Sequence, residues 1–383
     1  MNRTAGDIYL DHAASTPLDP RVKRKMFEVA DESFANPSSI HAPGRRARRI
    51  VEESREAVAE AINAKPREIV FTSGATEADN LALVGLRNTN GRTGLLTSPL
   101  EHSAVLATAG FLQRTGREVS FAAPTAAGEI DIDALQEALT PSVGVVALML
   151  VNNEVGIRTD IERLAAAAHE AGALLFCDAV QAFGFEEIDV NSLGVDALAL
   201  SAHKAYGPKG VGALWLREGV ELEAVTHGGE QERGYRPGTL NTLAIAALGE
   251  VARIARDEAA AHGVQVGEMR DRFEALLDGA EGIRVNGAAA PRGPKHSSVS
   301  VTDVDGEALL MSLDTAGVFA STGSACSAGS VNPSHVLTAL GLPAQEAKST
   351  VRFSFGSGVR EEQVEEAAAR FLEAVERCRT IFA

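Results

Sequence analysis

Residues 174–216 read LLFCDAVQAFGFEEIDVNSLGVDALALSAHKAYGPKGVGALWL. Three strand-sized apolar runs stand in this stretch: Leu174–Cys177, Ala197–Leu200 and Val211–Leu216. They are apolar at nearly every position and not only at alternate ones, which is the pattern of strands covered on both faces. The pattern continues upstream in Ile69-Val70-Phe71, Leu95-Leu96-Thr97, Val119-Ser120-Phe121 and Val145–Val151. Between the runs lie Ala-rich segments of helical period. One is Ile161–Ala171, with Leu164, Ala167 and Ala168 on one face. Strand–helix alternation of this kind predicts an α/β fold with a large, mostly parallel sheet. Before it, Gly44–Ile62 reads as a long helix with Arg and Glu on its outer face.

The character changes after about Thr239. Helical stretches Leu240–His262 and Glu268–Leu277 are followed by short strand candidates at Ile283–Val285, Ser298–Val301, Val318–Ala320 and Val351–Phe355. Helices Gly306–Thr315, Ser334–Ala339 and Glu361–Thr380 separate or follow them, and Ala288–Lys295 reads as a surface loop. The expectation is a large α/β domain over residues 16–250. A smaller α+β domain would be built from residues 1–15 plus 251–383 and carry the loop around Cys326.

Composition narrows the function. The 383 residues carry 52 Asp+Glu against 36 Lys+Arg, a formal charge of −16, so no global positive field favours nucleic acid or an anionic membrane. No run approaches the roughly 20 apolar residues a bilayer span needs, and the N-terminus lacks a signal-peptide core. A cytoplasmic protein is expected. The three cysteines, Cys177, Cys326 and Cys378, are too few for a disulfide framework and point to a reducing compartment. P-loop, CxxC, HExxH and strand-linked GxGxxG motifs are missing, and no metal site is expected.

Three segments carry chemistry. Ser201-Ala202-His203-Lys204 ends one apolar run, and a lysine there suits a pocket at the carboxyl edge of a sheet. Asp178 ends another run, where a buried carboxylate needs a partner; helix capping is its alternative reading. Thr72-Ser73-Gly74-Ala75-Thr76-Glu77 follows a strand and opens a helix, whose free N–H groups suit a phosphate, unless Ser73 or Thr76 simply caps it. Together, in chain order on one sheet, they are the equipment for pyridoxal 5′-phosphate. The lysine forms a Schiff base, the Asp pairs with the pyridinium nitrogen, and the helix start receives the phosphate.

The chain resembles the NifS/IscS-type cysteine desulfurases, class V aminotransferase-fold enzymes of fold type I. The segments that carry the resemblance are YLDHAASTP (9–17), NPSSIHAPG (36–44), TSGATEADN (72–80), EHSAV (101–105), VNNEVG (151–156), DAVQAFG (178–184), SAHKAYGPKGVGAL (201–214), HGGEQERGYRPGTLN (227–241), STGSACSAGS (321–330) and RFSFG (352–356). Two positions depart from the family pattern: Glu230 stands where a third glycine is usual, and Pro237 where Ser is commoner.

The resemblance implies roles residue by residue. Lys204 is the cofactor lysine and a proton carrier. Asp178 holds the ring nitrogen, Gln181 the phenolic oxygen, and His102 stacks on the ring and is a further catalytic residue, acting in proton transfer. Ala75, Thr76, Ser201 and His203 bind the phosphate, joined by Thr239 from a neighbouring subunit, which implies a homodimer with shared active sites. Asn153 and Arg352 bind the substrate carboxylate, a task that suits the planar fork of Arg.

Cys326 lies in a run of small residues without bulk to anchor it, unlike Cys177 in a strand and Cys378 on the last helix. The family mechanism makes Cys326 the nucleophile that takes sulfur from L-cysteine as a persulfide and releases L-alanine. A sulfur-acceptor protein would follow, an Fe–S scaffold or a tRNA-thiolation enzyme. The sequence given ends at Ala383, before the C-terminal docking tail that longer relatives carry. Two other readings stay open: a selenocysteine lyase or related C–S lyase, and a non-catalytic sulfur-relay or scaffold subunit.

Overall fold

The computed structural model describes residues 6–88, 90–323 and 333–382. Strand β1 (Ile8–Tyr9) precedes helices α1 (Pro20–Glu32) and α2 (Ala42–Ala61). Helix α1 starts where its chemistry says it should: the Asp19 side chain accepts from the Arg21 N–H, and Pro20 takes the first turn, where a missing N–H costs nothing. Strand β2 (Ile69–Thr72) runs into α3 (Ala75–Gly85). Then follow β3 (Leu86–Arg87), β4 (Gly94–Thr97), α4 (Ser103–Arg114), β5 (Val119–Phe121), α5 (Ile132–Ala138), β6 (Val143–Met149), α6 (Ile161–Glu170) and β7 (Leu174–Asp178). A short α7 (Val190–Leu193) leads to β8 (Ala197–Ser201), β9 (Gly212–Leu216) and β10 (Glu221–Leu222).

Among the described residues the larger sheet has seven strands in the order β2-β9-β8-β7-β6-β4-β5. Neighbours from β8 to β5 are parallel, whereas β9 runs antiparallel to both β8 and β2. Strand β2 therefore points the same way as β8, and all six strands other than β9 end at one edge. The sheet is mostly parallel, as the apolar runs predict. Its faces are filled by alternate residues: Leu175, Cys177, Leu198 and Leu200 pack toward α2, α6 and α8 (Thr242–Leu277). Phe176, Ala197 and Ala199 pack on the other side with α3 and α4.

The second part begins within α8. The sequence suggests two helical pieces here, but one helix of 36 residues forms. Gly263 lies between the two expected pieces and does not break the helix. It is a close-packing point, because a Cβ there would come within 2.1 Å of the Phe185 carbonyl oxygen. The first half of α8 packs in the core under the large sheet, and Val266, Phe273 and Leu277 of the second half belong to another core. That core lies under β11 (Ile283–Asn286) and β12 (His296–Val301), with α9 (Gly306–Thr315). After β13 (Val318–Phe319) and β14 (Ser321–Thr322) come α10 (His335–Ala339), α11 (Ala344–Lys348), β15 (Thr350–Ser354) and α12 (Glu361–Phe382). The strands β11-β12-β15-β14 form an antiparallel sheet, and β1 pairs in parallel with β13, so the N-terminus joins this part. The 288–295 segment departs from the expected surface loop at its end, since Lys295 is fully buried over the Phe185 ring, 4.0 Å from its centroid. Among the described residues no helix is long and apolar enough to cross a membrane.

Phe273, Phe353 and Phe371 form the centre of the second core, with Phe353 4.7 Å from Phe273 and 5.2 Å from Phe371, centroid to centroid. Phe353→Ala should therefore lose about 3–5 kcal/mol of stability, read as a lower denaturant midpoint. An unchanged midpoint would show that this cluster contributes little.

Candidate active site

One cavity of about 550 Å³ opens at the carboxyl edge of the large sheet. The parallel direction of the strands places its walls there. Strand β2 delivers Ser73–Thr76, β4 leads to His102, β6 to Asn153, β7 ends in Asp178, and β8 ends in Ser201 before His203 and Lys204. Met149 pairs with Asp178, and Asp178 with Ala199, in the sheet register. The second part of the molecule supplies Arg352 from β15. Of the residues expected at the site, Ala75, Thr76, His102, Asn153, Asp178, Gln181, Ser201, His203, Lys204 and Arg352 all line this cavity.

Thr239 does not line it; it is exposed on the stretch before α8. Cys326 lies outside the described residues, but Gly323, three positions before it, is part of the cavity wall.

The start of α3 is bare. Its N-cap is Gly74 with no side-chain cap, so neither Ser73 nor Thr76 occupies the first-turn N–H groups. Gly74 has φ 155°, which L side chains rarely adopt, and Gly212 of β9 packs against it. A Cβ at 212 would come within 2.8 Å of the Gly74 Cα. The result is a small, rigid N–H cradle suited to an anion.

The Lys204 amine donates to the Ala13 and Ala14 carbonyl oxygens at 2.7 and 2.8 Å. His102 caps α4, its Nδ1 accepting from the Ala104 N–H at 3.2 Å, so its helix-start position and its place in the cavity wall are compatible. His203 is held neutral near neutral pH: burial, then the positive Lys204, Lys209 and Lys295, push its pKa down to about 4. Arg352 donates to the Asn153 carbonyl oxygen (2.9 Å) and to Asp11 (2.8 Å), while its Nε has no partner among the described residues.

At the floor of the cavity lies a buried acidic set, of which the sequence reading singled out Asp178 alone. Asp178 does not cap a helix; it is enclosed, and it accepts from the Val180 N–H at 3.0 Å. Burial pushes its carboxyl up, opposed by that hydrogen bond and the nearby His102 and Lys204. Asp79 in α3 and Glu101 before α4 are also buried, and Glu101 accepts from the Ser98 hydroxyl at 2.7 Å. The apolar-run signal that finds strands says nothing about acids inside a helix or a turn. Asp79 is nevertheless legible as four residues after Ala75, on the face of the anion cradle.

The residues fit pyridoxal phosphate. The helix start lacks a cap, Asp178 is a buried carboxyl that needs a cationic partner, Lys204 offers an amine in the same cavity, and the buried Gln181 Oε1 has no partner among the described residues.

The aminotransferase class-V family model matches residues 8–366. The chain belongs to the class-V aminotransferases. The cysteine desulfurase IscS of Ectopseudomonas mendocina is 45% identical over 381 residues, 98% of this chain and 94% of the relative. A solved NifS-like protein superposes with a TM-score of 0.90 at 31% identity, covering 97% of this chain and all of that one (100%). SspA in complex with cysteine gives a TM-score of 0.80 at 36% identity, over 91% of this chain and 98% of the other. The fold expected from the class-V resemblance is thus the fold observed, and class-V aminotransferases depend on pyridoxal phosphate.

Burial raises Glu101 from 4.5 to about 8. Within that window the folded protein holds a proton that the unfolded chain has released, so stability is full below the unfolded value and falls as pH rises. One such group costs ~1 kcal/mol per pH unit. In the cofactor-free protein, Glu101→Gln should flatten this decline, seen as midpoints that differ less between ~pH 5 and ~pH 8. A slope identical to the parent's would show that Glu101 is already ionised.

Proposed function

We propose that this class-V aminotransferase is a cysteine desulfurase that uses pyridoxal phosphate, converts L-cysteine to L-alanine and leaves a persulfide on Cys326. The observation that carries the reading is the single cavity uniting Lys204, Asp178 and the bare start of α3 with Arg352, Asn153 and Gly323. Bound there, pyridoxal phosphate supplies a carbonyl for the substrate amine and an electron sink for its α-carbon.

The chain's own residues do the rest. The N–H groups of Ala75 and Thr76, with the Thr76 hydroxyl, Ser201 and neutral His203, hold the phosphate. Asp178 holds the ring nitrogen as a cation, Gln181 faces the phenolic oxygen, and His102 covers the ring. Arg352 and Asn153 hold the substrate carboxylate and so fix which end of L-cysteine enters first. The Lys204 Nζ carries protons to and from the substrate's carbon atoms. Two backbone carbonyls near its amine keep it within the cavity when it is not bonded.

The Cys326 thiolate then attacks the substrate sulfur. A new S–S bond forms, the C–S bond breaks with its electron pair going to carbon, and a proton completes L-alanine. The sum, L-cysteine plus thiol to L-alanine plus persulfide, balances without an outside oxidant. Cys326 follows Gly323 by three residues, a tether whose full extension is ~11 Å, so its reach ends near the cavity. Cys177 and Cys378 are buried, and burial pushes both thiols up, so neither competes as nucleophile.

Thr239, exposed and away from this cavity, suits donation to the phosphate of a second copy in a homodimer with shared sites. Phe34 and Ile40, 90% and 87% exposed, are large apolar residues that such a partner would cover. The persulfide would pass to an acceptor protein of Fe–S assembly or tRNA thiolation, in the cytoplasm. The selenocysteine lyase and the non-catalytic subunit are not favoured: Lys204, Asp178, His102 and Arg352 line one cavity, and the relative above is a cysteine desulfurase.

Cys326→Ala should bind the cofactor with unchanged visible absorption yet form neither alanine nor persulfide from L-cysteine. Turnover at the parent rate in that variant would sink the assignment. Borohydride reduction should fix the cofactor covalently to the parent and not to Lys204→Ala, as read by the mass of the intact chain. A covalent adduct in Lys204→Ala would move the role to another amine.

A further inference from the structure

Strand β2 is an edge of the large sheet, paired among the described residues with β9 alone. Side chains take up its remaining backbone groups. The Phe71 N–H donates to Glu232 Oε2 at 2.8 Å, and the Ile69 carbonyl oxygen accepts from Arg55 (2.9 Å) and Arg233 (3.0 Å). The Glu232 carboxylate also takes both prongs of the Arg55 guanidinium from α2, at 2.7 and 2.8 Å. The two side chains are 1% and 8% exposed. A buried fork of this kind fixes direction as well as distance.

The backbone here is one that needs an outside constraint. Glu232, Arg233 and Gly234 follow one another in left-handed conformation, with φ of 46°, 58° and 79°. Glycine adopts it freely, but Glu and Arg persist in it only where the surroundings over-determine them. The bonds from Glu232 and Arg233 to β2 and α2 are that constraint. Two further ties follow along the chain. Arg236 donates to Glu77 at 2.9 Å, and Glu77 in turn accepts the Ser73 N–H beside the anion cradle. Asn241 caps α8 by accepting from the Ala244 N–H at 3.1 Å. Thr239 stands exposed between Arg236 and Asn241, on a stretch held at both ends.

We propose that Glu232 is a positioning residue: its carboxylate, forked on Arg55 and bonded to the β2 backbone, locks the left-handed turn that presents Thr239 to the phosphate site of the second copy. The inference rests on the reading of Thr239 given above. An ion pair buried in one copy then governs how firmly the other copy holds its cofactor. The rival is a local role. Phe71 lies two residues before Ser73, so the same carboxylate could instead steady the cradle of its own copy.

Mixed dimers separate the two. Borohydride fixes pyridoxal phosphate only to a copy that keeps Lys204, so a Lys204→Ala copy is silent, and chain mass reads the fraction fixed at each cofactor concentration. The reference is parent paired with Lys204→Ala. In Glu232→Gln paired with Lys204→Ala, the readable site receives Thr239 from a copy with Glu232 intact, and half-fixation should need the reference concentration. In parent paired with a copy carrying both substitutions, the readable site receives Thr239 from the altered copy, and half-fixation should need about tenfold more. Weakening in the first dimer, or none in the second, overturns the proposal. Should Glu232→Gln not fold, Glu232→Met with Arg55→Met removes both charges together and takes its place in the same pairings. Thr239→Ala in those pairings tests the reading beneath. If it weakens neither dimer, the donation of Thr239 is refuted and the inference with it. If it weakens only the second while Glu232→Gln does not, the inference alone fails.

Discussion

A carboxyl at the end of a central strand, enclosed by protein, sets the terms for the rest of this site. Asp178 sits between Met149 and Ala199 in the sheet register and is buried at the floor of the cavity, where little water is available to support a charge. An isolated carboxylate there is costly, and the position is tolerable only if a cation arrives or a proton stays. Two basic side chains near it, Lys204 and His102, sit in the wall of a cavity large enough for a small aromatic cofactor. The fold thus places a standing electrostatic demand at the bottom of the cavity, of the kind that a cationic ring nitrogen would meet.

The sheet explains why the other groups are within reach. Six of its seven strands end at one edge, so five different strand ends contribute to one wall without long loops. The reversed β9 has a separate use. Its Gly212 lies against Gly74 and holds the anion cradle beside β8, the strand that brings Lys204. The N-terminal segment ties the two parts of the molecule together at the site. β1 adds to β13, Asp11 pairs with Arg352 at 2.8 Å, and the carbonyls of Ala13 and Ala14 receive the Lys204 amine. Loosening that segment would disturb Arg352 and Lys204 together.

The large sheet was legible because its strands are buried on both faces and so read as unbroken apolar runs. The site edge was legible because polar residues follow directly on those runs. Where sequence reasoning failed, the cause was tertiary. Gly263 lies where a helix break is a fair expectation, yet the helix continues because that glycine lets it approach the Phe185 backbone. Lys295 follows a Pro/Gly loop and reads as exposed, yet it turns inward over an aromatic ring. Asp79 and Glu101 look like ordinary surface acids in a helix and a turn. Only packing reveals that both are buried, Asp79 in the wall of the cavity. Motif resemblance supplied the roles of Gln181 and Asn153, which no local pattern distinguishes.

The two ends of the segment that carries Cys326 also bear on how a thiol can serve both the cavity and an outside acceptor. The chain leaves the wall at Gly323, where a Cβ would come within 2.3 Å of the Glu154 carboxylate. It is again described from Pro333, and the Ser334 hydroxyl donates to Glu154 at 2.5 Å. Ser334 also caps α10, and the His335 Nε2 donates to the Glu101 carbonyl oxygen at 2.9 Å. Both ends of the segment therefore meet at one buried carboxylate from the Asn153 loop, the loop that also meets Arg352. A residue at 323 larger than glycine would collide with that carboxylate, and closure between fixed ends costs entropy that grows only slowly with length. The arrangement anchors Gly323 and Ser334, on either side of the segment, at the same carboxylate.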